Sequence, residues 1–154
     1  MINHVWSLVS RESKIDAETN SLSINDIYEE LTIDIEADKA AIESGQPIPL
    51  PIPFEVTSTF FRPEVDKKEE CTVRVGIEDP NQKEISYLQV PLTFEVGMSR
   101  MRTRLKSPTF HVTKAGIYTF RVSIENPLKK SFKELAVIPI TVKLSMKVRE
   151  ANAS

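Results

Sequence analysis

The side chains best suited to catalysis are few: one cysteine, Cys71, and two histidines, His4 and His111. A nucleophilic site needs an activated cysteine or serine with a base in reach. Lys67 and Lys68 precede Cys71 closely, and nearby cations lower the pKa of a thiol. A small, half-buried residue of a sheet is the simpler interpretation of Cys71. We therefore assign no catalytic residue from these positions.

Other reactive patterns are incomplete. Ser99 follows a glycine in VGMSRM, but Met101 stands where a nucleophile elbow has its second glycine. The two histidines and Cys71 lack the short ligand spacings of zinc sites. Asp66 and Asp79 stand apart from each other, each near lysines, which argues against a calcium loop. Four glycines cannot build a phosphate cradle of the P-loop or Rossmann type. We expect neither metal nor cofactor.

Charge is the one feature with a spatial pattern. We predict a basic loop over GMSRMRTRLKSP. In RMRTRLK within it, basic residues occupy every second position, so on a strand they would share one face. We call them the basic strip: Arg100, Arg102, Arg104 and Lys106. Residues 29–44 contain six acids and one lysine. We call four of these acids the acidic segment: Glu29, Glu30, Asp34 and Glu36. Charges that protect a solvated edge strand from aggregation are the alternative interpretation.

Composition bounds the partners and the compartment. The net charge of −2 gives no general attraction to nucleic acid or to an anionic membrane. A single cysteine cannot form an internal disulfide and favours a reducing compartment. The chain lacks both an apolar run of roughly 20 residues and the features of a signal peptide. We expect a cytoplasmic protein that binds neither nucleic acid nor membrane.

These charges would be positioned by strands. In residues 114–126, KAGIYTFRVSIEN, apolar and polar residues alternate without a break. Gly116 can make the preceding turn, and Tyr118 is placed to act as the structural tyrosine corner of a sandwich. At the start of the chain, Val5, Ser7 and Val9 should face one way, with Trp6 and Leu8 facing the other. A register shift at Asn25-Asp26 indicates a β-bulge or a corner between two strand halves, with a short helix from Asp26 as the alternative.

The fold class follows from strands that return through short polar turns. We predict an all-β fold, an antiparallel β-sandwich of immunoglobulin-like or similar Greek-key topology with seven to nine strands. At most a short helix is expected near residues 36–45, where ADKAAIESG favours helix and ends at Gly45. Residues 1–148 should form one domain, followed by a disordered tail at 149–154.

Several stretches resemble a known family. VWSLVSRESKIDAETNSLSINDIYEEL is similar to the opening of a family of uncharacterised bacterial proteins, with its ID-x-x-T-N and S-L-x-x-x-D/N-I/V-x-E-x patterns. IEDPN, F-x-V and G-x-Y-x-F-x-V look like later parts of it. The resemblance implies a small, standalone β-sandwich. It implies no substrate and no functional residues, because the family has no assigned activity.

These observations favour a non-enzymatic module that binds a protein partner or a copy of itself. The basic strip and the acidic segment are the candidate contact residues. Two hypotheses from other classes stay open. One is a calcium-independent, C2-like module that binds a membrane or a ligand. The other is an enzyme whose site combines His111, Cys71 and nearby carboxylates.

Overall fold

The computed structural model describes residues 1–149 and shows an all-β sandwich. The strands are β1 (Asn3–Ile15), β2 (Leu22–Ile27), β3 (Glu30–Ala37), β4 (Ile48–Leu50), β5 (Phe54–Phe61), β6 (Glu69–Glu78), β7 (Glu84–Phe94), β8 (Arg100–Ser107), β9 (Phe110–Val112), β10 (Gly116–Asn126) and β11 (Ser131–Val148). One short helix, α1 (Lys39–Glu43), lies in the segment where a helix was predicted. It ends just before Gly45, whose φ of 67° is left-handed.

Three sheets build the sandwich. The four-stranded sheet has the order β2-β1-β5-β8, the five-stranded sheet the order β3-β11-β10-β6-β7, and β4 pairs with β9 alone. The structure therefore has eleven strands within its described residues, more than the seven to nine predicted. One unpredicted strand is β8, which corrects the prediction of a basic loop there. The three-residue strands β4 and β9 have patterns too short to identify from sequence.

One pair is parallel, which corrects the prediction of a purely antiparallel sandwich. β3 runs parallel to β11, with Leu31 opposite Val142 and Ile35 opposite Met146. After β2 the chain leaves the four-stranded sheet near Tyr28, and β3 joins the five-stranded sheet beside the last strand. No hairpin links β3 to β11, so nothing forces them to run in opposite directions.

The region around Asp26 is strand on both sides, so the predicted alternative of a helix there is wrong. Asp26 has a φ of 56° near the end of β2, and the chain re-enters strand at Glu30. This backbone turns the chain out of one sheet and into the other.

The core lies between the two larger sheets. Alternate residues of β10 point inward, with Tyr118, Phe120 and Val122 fully buried. Phe54 and Phe110 pack edge-on, with ring centroids 5.9 Å apart, and Phe54 lies 5.6 Å from Phe120 in the same way. Such pairs add to the hydrophobic stabilisation from burying large rings.

A β-bulge near the start of β1 sets which residues face outward. His4 lies opposite Phe60, but the register then shifts, so that Trp6 lies opposite Thr59. Val5 is the extra residue and is half exposed, which corrects its predicted place on one face with Ser7. The bulge puts Trp6 on the outer face of the four-stranded sheet.

The second half of β1 leaves β5 and pairs with β2. β1 contacts β5 as far as Ser10 and then pairs with β2 from Ser10 to Ile15. In the turn, the carboxylate of Asp16 accepts hydrogen bonds from the backbone N–H groups of Glu18 and Thr19. The β1–β2 hairpin bends over the outer face of the four-stranded sheet. There the backbone carbonyls of Asn20 and Ser13 accept hydrogen bonds from Arg102 and Arg104 of β8.

Of the tail predicted at 149–154, residues 150–154 lie outside the described part of the chain. The backbone N–H of Arg149 donates to the carbonyl of Ala37, so this residue still contacts the sandwich.

Within residues 1–149, no helix combines the length and the apolar composition that a bilayer crossing requires.

Candidate functional site

The basic strip lies along β8, at one edge of the four-stranded sheet. Within residues 1–149, β8 pairs in register only with β5. The four basic residues all point to the outer face, each opposite a residue of β5. The pairs are Arg100–Phe61, Arg102–Thr59, Arg104–Thr57 and Lys106–Glu55. The segment is thus a strand, and its alternation brings the four positive charges onto one face.

The arginines of the strip differ from every other arginine in the chain. The other five each have a carboxylate partner within 4.0 Å, in the pairs Arg11–Asp26, Arg62–Glu69, Arg74–Glu84, Arg121–Glu78 and Arg149–Asp38. Among the described residues, none of Arg100, Arg102 and Arg104 has a carboxylate within that distance. Their positive charges are concentrated on one face with no paired anion.

Neutral groups position these three side chains. Arg102 donates to the backbone carbonyl of Asn20 in the β1–β2 turn, at 2.8 Å. Arg104 donates weakly to the carbonyl of Ser13, at 3.4 Å. Arg100 lies over the ring of Phe61, 5.2 Å from its centroid. These contacts orient the guanidinium groups and leave their charges uncompensated.

The Lys106 end of the strip is closed. Lys106 pairs with Glu55 at 3.4 Å, and the Glu55 side chain is only 7% exposed. The other carboxylate oxygen of Glu55 accepts a hydrogen bond of 2.5 Å from the hydroxyl of Ser13. Glu55 thus compensates Lys106, and at this end the hairpin lies directly on the sheet.

The Arg100 end of the strip borders an open groove. The groove has a volume of about 490 Å³ and lies between the β1–β2 hairpin and β8. Its apolar lining consists of Trp6, Ile15, Leu22, Met98 and Met101. Its polar lining consists of Asn20, Thr59, Arg100 and Arg102. The groove therefore combines an apolar wall with two guanidinium groups.

Thr59 lies between Trp6 and Arg102 in the register of the sheet. It is 9% exposed, and its hydroxyl has no hydrogen-bond partner among the described residues. The hydroxyl of Thr57, two residues earlier on the same face, also lacks a partner, but Thr57 does not line the groove. Buried hydroxyls are normally paired, so these two are exceptions.

The acidic segment lies at the opposite edge of the sandwich. Glu30, Asp34 and Glu36 are on the exposed side of β3, and Glu29 is in the link before it. Glu30 forms an ion pair with Lys143 of the neighbouring strand. β8 lies beside β7, whereas β1 lies beside β11, so β3 and β8 are at opposite sides. The basic strip and the acidic segment cannot meet within one molecule.

The corner at Tyr118 is fully hydrogen-bonded. The buried Tyr118 hydroxyl accepts from the backbone N–H of Thr113 at 2.8 Å and donates to the carbonyl of Lys114 at 2.8 Å. Gly116 has a φ of 141°, and a Cβ there would lie 2.8 Å from Pro80. The glycine thus lets the β6–β7 turn pack against the corner.

Sequence analysis missed the role of Asp79 in this corner. Asp79 is 5% exposed and accepts hydrogen bonds from the backbone N–H groups of Asn81 and Lys83. Its second oxygen accepts from the hydroxyl of Thr113 at 3.1 Å. The Asp-Pro-Asn order was the available signal, since aspartate commonly caps such turns.

Arg62 is a second missed residue. Its side chain is fully buried, lies over Phe94, and donates to the carbonyls of Met98 and Glu95 at 2.9 and 2.7 Å. It also reaches the carboxylate of Glu69 at 3.3 Å. Arg62 thus fixes the loop before β8. No sequence pattern marks Arg62, because these acceptors are mostly backbone carbonyls.

The structure contradicts the hypothesis of an activated Cys71. Burial, reinforced by Glu69 and Glu125, raises the pKa of this thiol to about 11. Lys68 does not counteract this, because it pairs with Glu70 and Glu95. Cys71 borders a second groove of about 530 Å³, whose charged lining has both signs. This groove has no excess of positive charge.

The histidines do not join Cys71. His111 lies on β9, close in sequence to Thr113, and Thr113 contacts Asp79 just after the end of β6. Cys71 lies near the start of β6, at the other end of that strand. Seven or eight strand residues separate these ends, roughly 25 Å. His4 contacts the hydroxyl of Ser7 at 2.7 Å, and Ser7 contacts Ser58 at 2.7 Å. Burial lowers the pKa of His4. Residues 1–149 contain no group of three potential ligands placed to hold a metal ion.

Comparison with known proteins adds no family: no protein-family model matches the chain, and none of the curated proteins matches it. The resemblance to a bacterial family stays a prediction. The site must therefore be interpreted from its own chemistry.

Proposed function

We propose that the chain is a non-enzymatic β-sandwich module that binds an acidic surface of another protein through the outer face of β8. One observation carries the proposal: the three arginines of the strip lack carboxylate partners, whereas the other five arginines each have one. Guanidinium groups bind carboxylates through paired hydrogen bonds. A partner's carboxylates would supply the missing anions.

The edge position of β8 supports the same proposal. A strand paired on one side presents backbone groups to an incoming chain, and the adjacent side chains select which chain binds. On β8 these side chains are positive, so an acidic chain is favoured and a basic one is repelled. An immunoglobulin-like topology and a cytoplasmic location, in keeping with the single Cys71, belong to this proposal.

A second copy of the chain is one form that the partner can take. The acidic segment lies on the opposite edge from the basic strip, so contact between them would join molecules head to tail. Such a heterologous contact produces rings or open filaments rather than a symmetric dimer. Sedimentation at low and high salt tests this form: we expect salt-sensitive oligomers larger than two. If the protein is a monomer at both salt concentrations, self-association is excluded but binding to a different protein is not.

Charge reversal tests the proposal itself. Immobilised wild-type protein, an Arg100→Glu variant and a Lys129→Glu control are each exposed to a native lysate of the source cells. Arg100 is exposed, and Lys129 is an exposed cation in the distant β10–β11 hairpin. We expect a partner that the wild type and the control retain, that the Arg100 variant loses, and that moderate salt elutes. If the same proteins bind all three forms, the surface is not the binding site.

A further inference from the structure

We infer that the groove beside Arg100 and Arg102 is a binding site for a small carboxylate that carries a compact apolar group. This goes beyond the proposed function, because the occupant is a free small molecule and not a protein. The inference depends on the coincidence of three features: unpaired guanidinium groups, an apolar wall and an unpaired hydroxyl.

The charge of the ligand follows from the two arginines. Arg102 contacts Asn20 only through neutral oxygens, at 2.8 and 3.5 Å. Arg100 rests on the ring of Phe61 and has no hydrogen-bond acceptor among the described residues. Both retain free N–H donors at the rim of the groove. A carboxylate can accept from both, which a neutral group does less strongly.

The apolar part of the ligand follows from the opposite wall. Trp6 lines the groove from β1 in the sheet, Leu22 lines it on the hairpin side, and Met98 lines it on the loop side. Tryptophan and methionine offer large, adaptable contact surfaces to a ring or a short alkyl chain. A volume of about 490 Å³ lies within the range of small-molecule sites.

Thr59 supplies the third feature. It lines the groove between Trp6 and Arg102, and its hydroxyl is buried without a partner. Rotation about χ1 moves the hydroxyl of a threonine from one staggered position to another. The hydroxyl can therefore turn toward a bound carboxylate and donate to it, next to Arg102.

Tryptophan fluorescence tests the inference, since Trp6 is the only tryptophan in the chain. The probes are 3-phenylpropanoate, its neutral amide and acetate. We expect a saturable change with 3-phenylpropanoate, and binding weaker by about tenfold or more for the amide and for acetate. If the amide binds as tightly as the acid, or if no probe saturates below about 10 mM, the inference is wrong.

Two matched variants locate the site. Thr59→Val and Thr57→Val each remove one buried, unpartnered hydroxyl, but only Thr59 lines the groove. We expect Thr59→Val to weaken binding of 3-phenylpropanoate about three- to tenfold and Thr57→Val to leave it unchanged. Circular dichroism and urea denaturation verify that both are folded. Equal binding by both variants, or equal losses, overturns the role of Thr59.

Arg100→Gln tests the charge without adding a repulsive one. We expect binding of 3-phenylpropanoate to weaken about tenfold and binding of the amide to change little. Equal effects on both probes overturn the assignment of a carboxylate. A capped peptide with the same ring and carboxylate on its side chains completes the test. If the peptide binds more tightly than the free acid, the groove belongs to a protein partner and the small-molecule assignment is wrong.

The two proposals fail separately. If 3-phenylpropanoate does not bind but Arg100→Glu still abolishes capture of a partner, the protein-binding function stands alone. If the probe binds but capture does not depend on Arg100, the groove is a ligand site and the surface is not a protein contact.

Discussion

The Asp79–Tyr118 corner and the groove beside Arg102 are both polar regions, but they differ in whether their polar groups have hydrogen-bond partners. At the corner, Asp79 accepts three hydrogen bonds, and the Tyr118 hydroxyl both accepts and donates. At the groove, the Thr59 hydroxyl has no partner among residues 1–149, and Arg102 has only neutral ones there. Tyr118 and Thr59 both lie within strands, so irregular backbone at these two residues does not explain the difference.

This difference separates groups that stabilise the fold from groups that are free to bind. A buried polar group with all its partners loses free energy when one partner is removed. A group without partners makes no hydrogen bond whose removal would lower the free energy of unfolding. Substitutions at the corner should therefore change stability, and substitutions at the groove should change binding. The predictions below test that division, beginning with the largest effect.

Asp79→Ala should produce the largest loss. Removing this buried carboxylate leaves the donors of Asn81, Lys83 and Thr113 without their acceptor. We expect the free energy of unfolding to fall by about 2–4 kcal/mol in urea denaturation. Asp66→Ala, at an exposed aspartate, is the control and should stay within about 0.5 kcal/mol of the wild type. Equal effects would mean that the corner does not stabilise the fold.

Tyr118→Phe should cost less, because the ring stays in the core and only the hydroxyl is lost. The backbone N–H of Thr113 and the carbonyl of Lys114 then lack a partner. The expected loss is about 1–3 kcal/mol in the same assay. Tyr87→Phe, on a ring that is 55% exposed, should be close to neutral. A neutral result for both would show that the Tyr118 hydroxyl contributes nothing.

Three threonine variants compare the regions with a single chemical change. Thr113→Val removes a hydroxyl that donates to Asp79 and should cost about 1 kcal/mol. Thr57→Val and Thr59→Val remove hydroxyls without partners, so both should be neutral or stabilising by up to about 1 kcal/mol. Thermal and urea denaturation measure all three. If the free energy of unfolding falls as much in the Thr57 or Thr59 variant as in the Thr113 variant, the distinction between hydrogen-bonded and unpartnered hydroxyls is wrong.

His4 should give a small dependence of stability on pH. Burial lowers its pKa in the folded state below the ordinary value of 6.5. The unfolded chain then binds the proton more readily, so this contribution is fully present above pH 6.5 and is lost as the pH falls toward the folded-state pKa. Denaturation at several pH values should show a shallower slope in His4→Gln than in the wild type. The same slope in both proteins would contradict a role for His4.

Sequence reasoning was most successful where one strand carries its own pattern. The alternation around Tyr118 predicted β10, and the alternation of Arg100, Arg102, Arg104 and Lys106 predicted a shared face. Both are local consequences of the two-residue period of a strand. Residues 36–45 likewise contain the predicted helix, because composition and Gly45 act locally.

Features that depend on distant residues were missed or predicted wrongly. The pKa of Cys71 is set by burial together with Glu69 and Glu125, and the latter is 54 positions away. Arg62 is held by carbonyls of the segment 94–98, and Asp79 by a threonine that is 34 positions away. The parallel pairing of β3 with β11 depends on a crossing between sheets. None of these partners can be identified from a local pattern.

The sequence by itself determined the longer strands such as β10 and the two-layer architecture, because these follow from short-range alternation and turn chemistry. Only the tertiary structure decided that the basic strip is a strand, that the β1–β2 hairpin bends over β8 to form a groove, and that three arginines have no carboxylate partner among residues 1–149. The physical reason is that pairing and enclosure require groups from separate strands to meet, and their distance in space is fixed only when the sheets assemble.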